Sequence, residues 1–399
     1  MTTRLYHTDS YLREFEANVV EEVSAAEGDT RPAVLLDRTA FYPTSGGQPF
    51  DTGTLGDARV VDVIDRDDGA VLHVVDAAVP PGPVRARIDW DRRFEHMQQH
   101  TGQHILSAAF EHTAGVRTAS FHLGSGASTV DLAREVSGAE ITRAELAANQ
   151  VVWEDRAVSV RFVDEREAAA LALRKEPVRT GTLRLVDIER FDLSACGGTH
   201  VSRTGAVGNI SIASAERFRG GTRLEFSCGI RTLRADRVLR ETVSAAARLL
   251  STAAPELPAA VERLLADGRD SRRRMKELQD QLAAHEAERL AAAASPIAGA
   301  SVAIAALESW DAAGLKAIAS GIIRRPGHAA ILAGGAPVAV VVARAGDLTL
   351  DAAAIVKQLV ARFGGKGGGR PELAQAGGLA AKASDVADFA RGVIEKGSG

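Results

Sequence analysis

Two short segments, His100-Thr101-Gly102-Gln103-His104 and Cys196-Gly197-Gly198-Thr199-His200, lie about 90 residues apart and between them carry the donors of a single metal site. No other feature constrains the chain as much, because only a folded domain can bring these halves together. The first half lies in a run with helical apolar spacing (Met97, Ile105, Leu106, Ala109), so its histidines fall at i and i+4 on one face. In the second half, paired glycines let the backbone turn tightly, so that a thiolate and an imidazole four residues apart converge. Zinc favours such a nitrogen and sulfur set. His96 stands further back on nearly the same helical face, rotated about 80° from His104, and is expected behind the ligands. A metalloprotease would need Glu after the first His, where Thr101 stands. A zinc finger would need CxxC knuckles close in sequence.

Composition bounds the rest. A chain of 399 residues, 45% hydrophobic and 25% charged, suits a globular protein of two or three domains. A formal charge of −4 excludes a global affinity for polyanions, so contact with nucleic acid must come from local patches. Pairing Cys196 with Cys228 would consume a ligand, so both thiols are expected reduced and the protein cytoplasmic. The first twenty residues lack the apolar core of a signal peptide, and no uncharged apolar run is long enough to span a membrane.

The patterning predicts an α+β multidomain chain in four segments. Residues 1–92 alternate like short strands, with a hairpin turn at Asp67-Asp68-Gly69, and predict a β-barrel. Within it, the loop Phe41 to Pro49 presents Thr44, Ser45, Gly46, Gly47 and Gln48 as hydroxyls, an amide and close-approach backbone for a ligand. Residues 93–230 predict an α+β domain holding both metal halves. Its helix over 142–152 is expected to open on a capping box of Thr142 and Glu145, and Gly124-Ser125-Gly126 joins two of its strands. Residues 231–294 predict a helical linker with a short seam of Met275, Leu278 and Leu282, through which two chains could pair. Residues 295–399 predict an α/β module containing the glycine-rich run Gly364 to Pro371, whose backbone, Lys366 and Arg370 suit phosphate. Walker spacing is absent, which leaves nucleotide hydrolysis without support. Arg92, Arg93, Arg217, Arg219 and Arg223 are further candidate phosphate contacts.

The Phe41 to Gln48 loop, HTGQH and ACGGTH together resemble the alanyl-tRNA editing proteins of the AlaX type, themselves similar to the editing domain of alanyl-tRNA synthetase. The segment GGKGGGRPELAQAGG resembles the DHH-associated domain that follows editing in that synthetase, so the likeness covers the long form of the family. It implies one zinc ion held by His100, His104, Cys196 and His200, a freestanding editor, and a substrate that is alanine-accepting tRNA mischarged with serine or glycine. Gln103 replaces a threonine common in the synthetase motif, a departure that touches specificity and not the metal. Discrimination between alanine and serine at activation saturates near a hundredfold, about what an added hydroxyl allows, so a second site must read that hydroxyl. Thr44, Ser45, Gln48 and Gln103 are the candidates, with Thr44 and Gln48 favoured. Four protein ligands would fill a tetrahedral shell, so either one ligand is displaced or the ion mainly orients substrate. Two rivals stand beside this reading: a tRNA-binding protein with a purely structural zinc, and a DHH-type phosphoesterase, whose Asp-His-His motif the sequence lacks.

Overall fold

The structure is a computed structural model that describes residues 2–26, 29–124, 126–174 and 181–396. The chain divides into two compact units, Met1–Ala245 and Ala246–Gly399. The first two of the four expected segments therefore fall within one unit.

The first unit begins with β1 (Thr3–Arg4), β2 (Glu14–Ala26), β3 (Asp29–Leu36), β4 (Arg38–Thr39), β5 (Gly53–Leu55), β6 (Ala58–Asp65), β7 (Val71–Val75) and β8 (Gly82–Ile88). Six of these close a barrel in the order β2-β3-β7-β6-β5-β8, which leaves no exposed sheet edge. Its interior holds Phe15, Val34, Leu36, Phe41, Leu55 and Ile88, the inward members of alternating strands. β1, β4 and β5 went unread in the sequence because two or three residues show no period.

A 25-residue helix follows, α1 (Trp90–Ala114), then β9 (Thr118–Leu123), β10 (Ser128–Leu132), α2 (Gly138–Trp153), β11 (Val158–Val163), α3 (Glu165–Ala169), β12 (Leu183–Ile188), β13 (Asp192–Ala195), β14 (Ile210–Phe218), β15 (Gly221–Cys228) and α4 (Ile230–Leu249). The strands form a four-stranded sheet, β14-β15-β10-β9, and a three-stranded one, β11-β12-β13. α1 buries Met97, Ile105, Leu106 and Phe110 against Val130, Leu224 and Phe226. Gly102 makes that packing close, since a Cβ there would lie 2.2 Å from the Cys228 sulfur.

Two expectations need correction here. The capping box of α2 is Ser137 with Glu140, not Thr142 with Glu145. Both pairs fit the spacing, but the helix starts a turn earlier, which leaves Thr142 bonding back to the Gly138 carbonyl and Glu145 accepting from Ile212 N–H. Arg93, expected to meet phosphate, is fully buried and bidentate to Asp51, with Nε 3.1 and 3.0 Å from the two carboxylate oxygens. Its remaining donors reach the Ser10 and Ala40 carbonyls, so every face of the guanidinium is satisfied and the barrel is tied to α1. The expected turn at Ser125 lies outside the described residues.

The second unit holds α5 (Leu257–Ala292), β16 (Ser295–Ile297), β17 (Ala300–Ala306), α6 (Ala312–Ile322), β18 (His328–Gly334), β19 (Val338–Arg344), α7 (Ala352–Phe363), β20 (Lys366–Arg370), β21 (Leu373–Leu379) and α8 (Ala383–Lys396). Its six-stranded sheet runs β16-β17-β18-β19-β21-β20. One face packs Ile331, Val340 and Val342 against α7 and α8, and the other packs Leu332 and Val341 against α5 and α6. That double cover explains the unbroken apolar runs of β18 and β19. Over Lys366–Arg370 the glycine-rich run forms the exposed edge strand β20, paired with β21. Strand pairing went unread because glycines carry no side-chain pattern. Met275, Leu278 and Leu282 lie exposed along α5. No helix among the described residues is long and apolar enough to cross a membrane.

Candidate metal centre

Two segments deliver the donors. α1 projects His100 and His104 from adjacent turns, and the turn after β13 supplies Cys196 and His200. The four ligand atoms lie within 4.8 Å of one another, the only such cluster among the described residues. Cys196 Sγ is 3.3 Å from His100 Nε2 and 3.4 Å from His200 Nε2. A tetrahedral ion with ordinary zinc bond lengths separates nitrogen and sulfur by about 3.5 Å, so the spacing fits.

Each imidazole is held from behind. His100 Nδ1 donates to Gln48 Oε1 (2.8 Å), His104 Nδ1 to Asp192 Oδ2 (2.9 Å), and His200 Nδ1 lies 3.1 Å from Thr101 Oγ1. These partners fix the rings so that the Nε2 atoms face inward. Asp192 is itself clamped by Arg174 (2.5 Å) and by the Ser194 hydroxyl (3.0 Å). Neither glycine of the CGGTH turn adopts a positive φ, contrary to the expectation of a turn made possible by backbone freedom. Gly198 is required for room instead, because a Cβ there would stand 2.1 Å from His100 Cε1. In the barrel loop the expectation holds, with Gly46 at φ 54° and Gly47 at φ 83°.

The electrostatics suit a cation. Burial alone would raise the Cys196 thiol, but His100 and His200 outweigh it and hold the group well below its usual value, as thiolate. Burial and the neighbouring His100 lower His200 to about 3, leaving it neutral. Burial opposes protonation of His104 too, yet Asp192 and Cys196 raise it to about 9. Thiolate and imidazole nitrogens converging in a buried pocket form the donor set of a borderline-soft divalent ion.

Two chambers meet at the cluster. The larger, about 400 Å³, ends on His100 and is walled by Tyr6, Tyr42, Ser45, Phe162 and Arg184. The smaller, about 200 Å³, ends on His104 and is walled by Gln103, Thr118, Phe121 and Arg174. Gly46, Cys196 and Gly197 form walls of both.

Of the residues expected to read substrate, Gln48 is buried and committed to the metal side. Its Oε1 accepts from His100 and from Thr199 N–H (3.1 Å), and its Nε2 donates to Thr199 Oγ1 (2.8 Å). Thr44 is exposed, walls neither chamber, and accepts from Phe50 N–H (3.2 Å). Gln103 is buried, and its Nε2 donates to Ser107 Oγ (2.8 Å). His96 is buried among arginines, and its Nδ1 has no partner. Arg223 is engaged by Asp131 (2.7 Å) and stacked over Phe218, Arg217 pairs with Glu135 (3.2 Å), and Arg92 donates to the Phe50 carbonyl (2.9 Å). Arg219 lies over Phe218, whereas Lys366 and Arg370 are exposed on β20, far along the chain in the second unit. Asp192, Thr101 and Arg174 were missed by sequence reasoning. Alternation along β13 did carry a signal, for it places Asp192, Ser194 and Cys196 on one face.

Comparison with known proteins gives three domain matches. Residues 183–225 match the threonyl and alanyl tRNA synthetase second additional domain, 5–92 match tRNA synthetases class II (A), and 299–396 match the DHHA1 domain. The chain is similar to an alanine–tRNA ligase of Natronomonas pharaonis, at 35% identity over 94% of this chain and 42% of the ligase. It is also similar to one from Pyrococcus abyssi, at 35% identity over 71% of this chain and 32% of the ligase. The chain thus spans less than half the length of these ligases. A third relative, the alanyl-tRNA editing protein AlaX-L of Pyrococcus horikoshii, is 29% identical over 98% of both chains.

Proposed function

Because the chain is a homologue of the long-form alanyl-tRNA editing proteins, joining the synthetase additional domain to a DHHA1 domain, we propose that it is a trans-acting deacylase. Its substrate is alanine-accepting tRNA mischarged with serine or glycine, and its reaction is hydrolysis of the aminoacyl ester. The observation that carries this reading is the buried cluster of His100, His104, Cys196 and His200 opening on two chambers, one of a size for a nucleoside and one for an aminoacyl group.

A zinc ion held by those four residues would polarise the ester carbonyl as a Lewis acid. The protein's own groups do the positioning. Gln48, Asp192 and Thr101 keep the three rings aimed inward. Arg184 fixes the Cys196 carbonyl at 2.6 Å and so steadies the turn that carries the thiolate. Ser45 and Gly46 bring the barrel loop up to the cluster, where substrate backbone and sugar can approach closely, and Gly47 lets the loop pack against Phe121. Lys366, Arg370 and Arg223 supply positive charge toward the tRNA body, Arg223 only as the outer face of its ion pair. The exposed Met275, Leu278 and Leu282 stripe supports pairing of two chains through α5.

The test is a side-by-side deacylation assay with seryl-, glycyl- and alanyl-tRNA on the native chain and on Cys196→Ala and His104→Ala. Cleavage of the seryl ester that both variants lose is the expected result, whereas cleavage retained by both would overturn it. A second reading, tRNA binding with a purely structural zinc, draws on the four donors filling a tetrahedral shell. Chelation separates the two, because a structural ion takes the fold with it while an editor loses hydrolysis first.

A further inference from the structure

Once the hydrogen bonds around the cluster are counted, the residues favoured for reading the serine hydroxyl have nothing left to read it with. Gln48 uses its oxygen twice and its nitrogen once within the metal framework, and Thr44 is turned into its own loop. Gln103 differs. Its Nε2 is pinned to Ser107 Oγ at 2.8 Å, and Ser107 is held in turn by Thr118 Oγ1 at 2.7 Å. That anchor fixes the amide plane and leaves Oε1 buried without any partner. The side chain is 2% exposed and walls the smaller chamber beside His104. A buried acceptor is costly to leave unmet, and native structures rarely keep one unless a donor arrives with a ligand.

We propose that Gln103 is the specificity-determining residue of the deacylase, its Oε1 accepting the hydroxyl hydrogen of a seryl group seated in the smaller chamber. The inference rests on the editing reading above. Ser107 and Thr118 act as positioning residues that hold the amide in that orientation. Alanine and glycine bring no donor to this oxygen, so the favourable contact is reserved for the serine ester.

The experiment measures kcat/KM for seryl- and glycyl-tRNA on the native chain, on Gln103→Met and on Ser107→Ala, with bound metal and melting temperature followed alongside. Gln103→Met is close to isosteric and removes the acceptor, and it is expected to lower the serine-to-glycine ratio about tenfold or more. Ser107→Ala frees the amide and is expected to lower the same ratio by a smaller factor, which keeps the idea testable if the first variant folds poorly. An unchanged ratio in both variants overturns the proposal, including the case where both esters slow together, as they would if Gln103 met the α-ammonium or served only packing. If the native chain hydrolyses neither ester, the editing reading itself fails, a result distinct from an unchanged ratio.

Discussion

At the scale of single residues, the centre depends on what stands behind each ligand. Gly198 has no freedom to gain a side chain, because the added methyl carbon would meet the His100 ring at 2.1 Å. Gly198→Ala should therefore push His100 out of line, releasing most of the bound metal and cutting deacylation by about tenfold or more, as read by metal analysis and hydrolysis rate. A second residue sets an acid limit. His73 is buried in the barrel against Thr39 Oγ1 (2.8 Å), and burial lowers it from 6.5 to about 4. The unfolded chain takes up a proton near pH 6.5 that the folded chain refuses until about pH 4. Stability is thus full above pH 6.5, falls as pH drops through that interval, and is lower by about 3 kcal/mol below it. Denaturant titrations at pH 7 and pH 5 should show the decline, and His73→Leu should reduce it, the remainder coming from His96 and His200, which burial also lowers, each to about 3. The clustering of the four donors was legible in the sequence because two histidines on a helix and a CxxxH turn are informative by type and spacing. Asp192 was not, since a lone carboxylate in a strand is common and its meaning appears only once His104 is seen beside it.

At the scale of elements, legibility followed period and length. α1, α7 and α8 were readable from their 3.6-residue apolar spacing, and β6 and β8 from alternation, because burial on one face writes that pattern into the chain. α5 was read from Met275, Leu278 and Leu282, which are exposed, and β7 is buried at every position. β13 and β20 were not. β13 alternates, but over four residues only, too short a stretch to stand out as a strand, and β20 is glycine-rich and so offers no side-chain rhythm. The box at Ser137 was passed over for the one at Thr142 because identical spacing recurs and only packing chooses between them. The buried pair of Arg93 and Asp51 shows the same limit, as an arginine at a helix start reads as solvent-facing until the barrel loop closes on it. Losing one partner of such a pair commonly costs about 3–5 kcal/mol, so this join between barrel and helix is a rigid support for the loop that carries Gln48.

At the scale of the molecule, the four donors that could hold a metal ion, the groups that orient them and all the described residues that wall the two chambers precede Ala245. The first unit also has hydrophobic cores of its own, in the barrel and beneath α1. A chain ending at Ala245 should fold, retain its metal and turn over saturating seryl-tRNA at near the native rate, while its affinity for tRNA falls. Steady-state kinetics with a filter-binding curve would check this, and undiminished affinity would count against a tRNA-binding role for the second unit. The confinement of the chemistry to one unit has an evolutionary corollary. On the proposed reading, reactivity and address are separate modules, so selection could exchange the tail that chooses an RNA, or dispense with it, without retuning a single atom of the hydrolytic head.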